Sequence, residues 1–284
     1  MSKVLVIGAG WLGDPLANHF AALGQQVLAT HRSRPPSTAH SIPLNLQEDL
    51  PAEALQSVAS FNPDVIVGCF PPGYRHLSAD DKDLNPYMEC WKKVLVLAKQ
   101  CHNPIVVMVS SSAVYPDYLD VATEEDANVH TATGVNGFSD KSMKLLATEQ
   151  LIIESSYRYL ILRSTGLIGP NRHPSRFVAK LSTVSQAAPV NMVHLNDVIG
   201  AITHCINWLT THPQKRGETI NITTPHTCSK AEFYQAALDA ADCDLPLPTV
   251  SNKPAKRVSS DKLLSIGYHF EFEHVLDALN AIKV

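Results

Sequence analysis

Lys3-Val4-Leu5-Val6-Ile7-Gly8-Ala9-Gly10-Trp11-Leu12-Gly13 decides the fold. A short apolar run ends in G-x-G-x-x-G, and Leu12, Leu16, Phe20 and Leu23 follow at helical spacing up to Gly24. A glycine turn set between a strand and a helix is the setting in which this motif binds a dinucleotide. Gly8 permits the sharp turn, Gly10 leaves room for a pyrophosphate against the backbone, and Gly13 lets the helix pack close to the strand. The amides around Trp11 and Leu12 then open a helix whose positive end faces the phosphates. The competing reading is a glycine-rich turn that only packs a helix.

The same strand-then-helix rhythm continues outward. Strands are expected at residues 26–30, 42–46, 64–70, 105–110 and 158–164, with helices at 11–23, 52–61, 83–101 and 139–154. Strict alternation predicts a parallel sheet covered on both faces. Right-handed crossovers make it a doubly wound, Rossmann-type α/β fold. Ligands of such folds lie at the carboxyl ends of the strands, here Gly8, His31, Leu46, Phe70, Ser110 and Ser164. Beyond Ser164 prolines multiply and the elements shorten. Helices are expected near 175–181, 196–210, 229–241, 261–266 and 273–282, and strands near 190–194 and 219–222. Residues 1–165 therefore read as a dinucleotide-binding domain, and 166–284 as a smaller α/β lobe closing over the cofactor and holding the substrate.

Composition narrows the class. The 284 residues are 45% hydrophobic, enough for a sizeable core, and carry a net charge of −4 with no basic stripe. That argues against nucleic-acid binding. No apolar run reaches the roughly 18 residues of a membrane span. Strand one begins almost at Met1, which leaves no room for a signal peptide. Cys69, Cys90, Cys101, Cys205, Cys228 and Cys243 are scattered without a C-x-x-C pair, as in a reducing cytoplasm. The 13 histidines form no metal-binding pattern, and His76, His102 and His130 read as surface residues.

The choice of dinucleotide turns on the end of strand two. NAD-binding sheets carry Asp or Glu about 20 residues after the glycines, to bond the ribose 2′-hydroxyl. No acidic residue occurs between Asp14 and Glu48, and Arg32, Ser33 and Arg34 stand there instead. A cation and a hydroxyl suit a 2′-phosphate, so NADP is expected over NAD. Arg32 can also stack on adenine. The competing reading is a solvated basic turn.

Further stretches resemble the extended short-chain dehydrogenase/reductases. They are Ser110-Ser111-Ser112-Ala113-Val114-Tyr115-Pro116, Leu162-Arg163 with Gly166-Leu167-Ile168-Gly169-Pro170, and Val193-His194-Leu195-Asn196-Asp197-Val198. Gly169-Pro170-Asn171-Arg172-His173-Pro174-Ser175-Arg176-Phe177 resembles an atypical bacterial branch, the YeeZ-like proteins. The resemblance covers nearly the whole chain. It implies a nucleotide-sugar epimerase, dehydratase or related reductase, and a homodimer pairing through the helices at 83–101 and 139–154. Asn45-Leu46 resembles the pair that flanks adenine in the family. By strand position, Phe70 and Pro71 line the path to the nicotinamide, with Pro72 extending the wall.

In that family a Ser after strand five orients the substrate oxygen, and a Tyr-x-x-x-Lys pair on the next helix moves the proton. The Ser maps onto Ser111, whose competing reading is a strand-end hydroxyl bonding backbone. The pair is absent: no Lys has a Tyr four positions before it. Alignment on Glu149-Gln150 puts Lys141 at the Tyr position and Leu145 at the Lys position. Tyr115, Tyr118, His173 and Lys144 are the candidates to replace the phenol; the competing reading of Tyr115 is a packed aromatic common in this loop. Arg172 and Arg176 can grip a diphosphate or carboxylate, with His173 beside them as donor or proton shuttle; the competing reading is a solvated turn with one helix-facing Arg. Asn196 is expected to cap the following helix, Asp197 to pair in the same turn, and His194 to be structural. Lys256-Arg257 lies near the family's nucleotide-phosphate position. Without the phenol, a cofactor-binding redox sensor that turns nothing over stands as the rival to an enzyme, and a part of an assembly with a purely structural cofactor as a third.

Overall fold

The computed structural model describes residues 2–37, 40–71, 85–134 and 137–283. Pro72, His76 and the start of the helix expected from Asp83 lie outside them.

The chain opens with β1 (Lys3–Ile7), α1 (Gly13–Ala22), β2 (Gln26–His31), β3 (Ser41–Pro43), α2 (Ala52–Phe61), β4 (Val65–Gly68), α3 (Pro86–Ala98) and β5 (Ile105–Ser111). Pro15 sits in the first turn of α1, where its missing N–H breaks no helical bond. Gly24 follows α1 at φ +76, the left-handed conformation that ends helices. Asn85 caps α3 by accepting the Met88 N–H, and Pro86 starts the helix. On α3 the residues Tyr87, Trp91, Val94 and Ala98 are buried as their spacing predicts; Leu97 is buried with them, and Leu95 is half-buried.

Next come β6 (Val121–Ala122), α4 (Val129–Ala132), α5 (Asp140–Ile153), β7 (Tyr159–Ser164), β8 (Gly166–Ile168), α6 (Ser175–Val178), β9 (Thr183–Ser185), β10 (Met192–His194), α7 (Leu195–Thr211) and β11 (Gly217–Ile222). The chain finishes with α8 (Lys230–Ala240), β12 (Thr249–Ser251), β13 (Arg257–Val258), α9 (Asp261–Ser265) and α10 (Val275–Asn280).

Among the described residues seven strands form one parallel sheet, ordered β11-β7-β5-β4-β1-β2-β3. The chain builds outward from β1 to β3, then returns to β1 and builds the other way through β4. The order therefore reverses between β1 and β4, where an open α/β sheet forms its ligand crevice. The register sets Ile7 between Thr30 and Gly68 at that edge. Three parallel two-stranded sheets, β8 with β10, β9 with β12 and β6 with β13, lie outside it. β11, expected as part of the smaller lobe, is instead the outermost strand of the main sheet.

The chain falls into two compact units. The first comprises Met1–Ser110, Asp140–Leu162 and Leu209–Thr219; the second comprises Ser111–Ser139, Arg163–Trp208 and Ile220–Val284. This differs from a single cut after residue 165, because each unit is assembled from three stretches of chain. The first unit's core is the apolar run of β1, β4 and β5, closed by Leu16, Phe20, Val58 and Trp91. One core cluster of the second joins Ile168, Val190, Phe233, Ala237, Val275, Ala278, Leu279 and Ile282. No helix among the described residues is long and apolar enough to cross a membrane.

Candidate active site

The candidate residues fall into two groups, one in each unit. In the first unit, β1 ends at the glycine turn. Gly8 has φ +92, which favours glycine. Its N–H donates to Thr30 Oγ1 (3.1 Å), and the Ala9 N–H donates to the Thr30 carbonyl (2.8 Å). Buried Thr30 thus clamps the turn to β2. A Cβ on Gly13 would stand 2.2 Å from the Gly8 carbonyl oxygen, so only glycine lets α1 begin here. A Cβ on Gly10 would meet nothing within 4 Å. Space therefore lies open over the middle glycine, and Leu12, at the cap of α1, makes no side-chain bond to the helix amides. Open backbone beside an uncapped helix start is what a pyrophosphate requires. The residues fit a dinucleotide.

Arg32, Ser33 and Arg34 follow β2, all exposed, and neither arginine has a hydrogen-bond or ion-pair partner among the described residues. His31, one residue earlier, has an enclosed Nδ1 with no partner among them. The sequence gives no warning of that, since a lone histidine carries no pattern. Leu46 is not at a strand end as expected, because β3 stops at Pro43. Its side chain is buried, and its carbonyl accepts Lys93 Nζ (3.0 Å). Phe70 is brought against the turn, its Cβ 3.3 Å from where a Gly8 Cβ would lie. Its ring packs on Trp91 (5.1 Å) and edge-on to Tyr87 (5.6 Å). Pro71 beside it is exposed. Burial pushes the Cys69 thiol up to about 12, which makes it inert. On α5, Lys141 is exposed, and the Lys144 carbonyl accepts Asn85 Nδ2 (2.9 Å).

In the second unit, Ser111 Oγ accepts the Ala113 N–H (3.2 Å) and caps the short turn Ser112–Val114. Tyr115 is enclosed. Its hydroxyl donates to Asn221 Oδ1 (2.6 Å) and accepts from Arg163 Nη1 (3.0 Å), and only 2% of the residue is exposed. Burial drives its pKa up to about 12 against the pull of Arg163. Tied at both ends and held neutral, the phenol braces this network. Arg163 also donates to the carbonyls of Glu124 (3.0 Å) and Ala127 (2.6 Å), and Glu124 Oε1 accepts the Asn221 N–H (2.7 Å). Tyr118 is exposed and packs over Gly137.

His173 is 1% exposed. Its Nδ1 lies 2.9 Å from Ser175 Oγ and 3.4 Å from the Ser175 amide nitrogen. Its Nε2 is buried with no partner among the described residues. Burial, reinforced by the charge of Arg176, lowers the His173 pKa, so the ring is neutral at pH 7. Arg176 donates to the Asn171 carbonyl (3.4 Å); it and Arg172 are exposed.

Two local expectations are corrected. His194, not Asn196, caps α7: its Nδ1 accepts the Asn196 N–H (3.2 Å), while the Asn196 amide donates to Glu271. Asp197 reaches far along the chain rather than into its own turn. Its carboxylate accepts the N–H groups of Glu271 (2.7 Å) and Phe272 (3.3 Å) and the Tyr268 hydroxyl (3.2 Å). Lys256 pairs with Asp117 (2.6 Å), and Arg257 lines a cleft of about 500 Å³ with His226, Asp261 and Glu273. Among the described residues no group of three His, Cys, Asp or Glu side chains could hold a metal.

The sequence pattern of the NAD-dependent epimerase/dehydratase family matches residues 4–223. Protein YeeZ of Escherichia coli (strain K12) is 30% identical over 241 residues, 82% of each chain. Among solved structures, the Thermus thermophilus UDP-glucose 4-epimerase complex with NAD superposes with a TM-score of 0.71 at 17% identity, over 98% of this chain and 99% of that one. The Bordetella bronchiseptica enzyme WbmH, in complex with NAD+, gives 0.74 at 15% identity, over 99% and 97%. At these identities the structures share the fold.

Proposed function

The chain belongs to the NAD-dependent epimerase/dehydratase family, and from that premise we propose that it binds NADP(H) on its first unit and acts on a nucleotide sugar with His173 as the proton-moving group. The observation that carries the cofactor half is the glycine turn, with open space over Gly10 beside an uncapped helix start. Relatives in fold hold NAD, and the bare arginines after β2 favour the 2′-phosphorylated form here. A bound nicotinamide supplies the site with a hydride acceptor and donor. The chain's own residues do the rest. The amides around Trp11 and Leu12 hold the pyrophosphate, Arg32 and Ser33 the 2′-phosphate, and Leu46, Phe70 and Pro71 flank the rings. Arg172 and Arg176 take an anionic substrate group, and Ser111 orients the substrate oxygen. Uncharged at neutral pH and fixed by Ser175, the His173 ring is set to take up a proton as a general base. The unpaired cysteines accord with a cytoplasmic setting.

The test is isotope exchange between deuterated NADPH and a panel of nucleotide sugars. Exchange is expected, and His173→Ala lowers its kcat by about a hundredfold while Tyr115→Phe keeps it. Turnover that survives His173→Ala removes the histidine from this role. The second reading, a cofactor-binding sensor, is favoured by the state of Tyr115, whose hydroxyl is spoken for at both ends. Tight NADPH binding with no exchange on any substrate would establish it.

Arg32→Ala is expected to weaken NADPH binding by tenfold or more and leave NADH binding within about twofold, since a charge-assisted bond contributes about 1.5–3 kcal/mol. Calorimetric titration of both cofactors decides it, and equal losses refute the 2′-phosphate contact.

A further inference from the structure

The stretch that carries Arg32 and Arg34 is pinned at both ends. Its start, His31, belongs to β2, and the His31 carbonyl accepts the Leu44 N–H (2.8 Å). Its far end is Ser37, tied to the first turns of α1. Asp14 Oδ1 accepts both the Ser37 N–H (3.0 Å) and the Ser37 hydroxyl (2.9 Å), and the same hydroxyl accepts Asn18 Nδ2 (2.6 Å). Every polar group of Ser37 except its carbonyl is engaged. Asp14 and Asn18 sit one turn apart on the same face of α1. Between the pins lie only Arg32, Ser33, Arg34 and the stiff pair Pro35-Pro36. The basic arch is therefore short, proline-braced and fixed to the same helix whose start adjoins the open space over Gly10.

We infer that Asp14 is a positioning residue for cofactor choice: through Ser37 it holds the Arg32–Arg34 arch beside the helix start, where a dinucleotide's 2′-phosphate lies. This rests on the NADP reading above. Asp14 works by geometry against its own charge, since a carboxylate near phosphates repels them. Losing the strap frees the arch, and each cation then loses ordering on binding. NADPH should suffer and NADH should not, because only the 2′-phosphate uses the arch.

The experiment compares Kd for NADPH and NADH in the wild type, Asp14→Ala, Asp14→Asn and Ser37→Ala, with circular dichroism and thermal unfolding as checks on folding. Asp14→Asn keeps the acceptor oxygen and removes the charge, so it retains the wild-type preference or raises it. Asp14→Ala lowers the NADPH-over-NADH ratio by about fivefold, and the milder Ser37→Ala by about two- to threefold, as expected for one or two exposed hydrogen bonds. A merely structural strap would weaken both cofactors alike and leave the ratio unmoved. A wild type that prefers NADPH, with Asp14→Ala at an unchanged ratio, overturns the strap alone. A wild type that binds NADH as tightly as NADPH overturns the NADP reading and the strap with it.

Discussion

Alanine at Gly13 abolishes dinucleotide binding and destabilises the protein by about 3 kcal/mol, as overpacking against rigid backbone does. The new Cβ would stand 2.2 Å from the Gly8 carbonyl oxygen and 2.9 Å from its carbon. Neither atom can yield, because Thr30 holds Gly8 and Ala9 from the neighbouring strand. The helix must back away by about 1 Å to restore ordinary contact, and the amides at its start move with it. Gly10→Ala is the matched control. Its Cβ meets no protein atom within 4 Å, so stability stays within about 0.5 kcal/mol. It does intrude on the space kept for the pyrophosphate, so affinity falls. Thermal unfolding paired with NADPH fluorescence titration separates the two. A Gly10→Ala variant that binds normally would show that the open space has no ligand.

Arg163→Ala is expected to cost about 4 kcal/mol, the range for removing one member of a buried charged network. The truncation strands three acceptors, the carbonyls of Glu124 and Ala127 and the Tyr115 oxygen, in a site where Arg163 is 2% exposed. Lysine restores the charge but cannot fork toward both carbonyls at once, so Arg163→Lys recovers only part of the loss. Tyr115→Phe removes a single hydroxyl and costs about 1–2 kcal/mol. Urea unfolding curves read all three. If Arg163→Ala unfolds at the wild-type midpoint, the network is not what secures residues 111–127.

What could be read from the chain is what short periods encode. The turn from β1 to α1, the bounds of α2 and the buried face of α3 follow from glycine placement and helical spacing, and the structure returns them nearly residue for residue. Elements of two or three residues have no period, which is why β6, β8, β9, β12 and β13 escape notice. Pairings made at a distance escape too. Tyr115 reads as either a candidate phenol or a packed aromatic until Arg163 and Asn221, far along the chain, close on its hydroxyl. Asp14 reads as an ordinary first-turn acid until Ser37 folds back onto it. At α7 the obvious capping asparagine lost to the histidine before it, because His194 already presents Nδ1 to the first free amide. The candidate site was legible in its glycines and in the lack of a Tyr-x-x-x-Lys pair. The partners that hold the Tyr115 hydroxyl and leave His173 Nε2 uncommitted needed three dimensions.

The first unit takes up Asp140–Leu162 and Leu209–Thr219 after long excursions of the chain. During synthesis, β7 must wait for some fifty further residues before β11 arrives to cover its outer edge. A fragment ending at residue 165 would leave that edge bare, an invitation to intermolecular pairing and aggregation. We expect a piece of the chain that lacks Gly217–Ile222 to aggregate where the full chain does not, as size-exclusion chromatography would show.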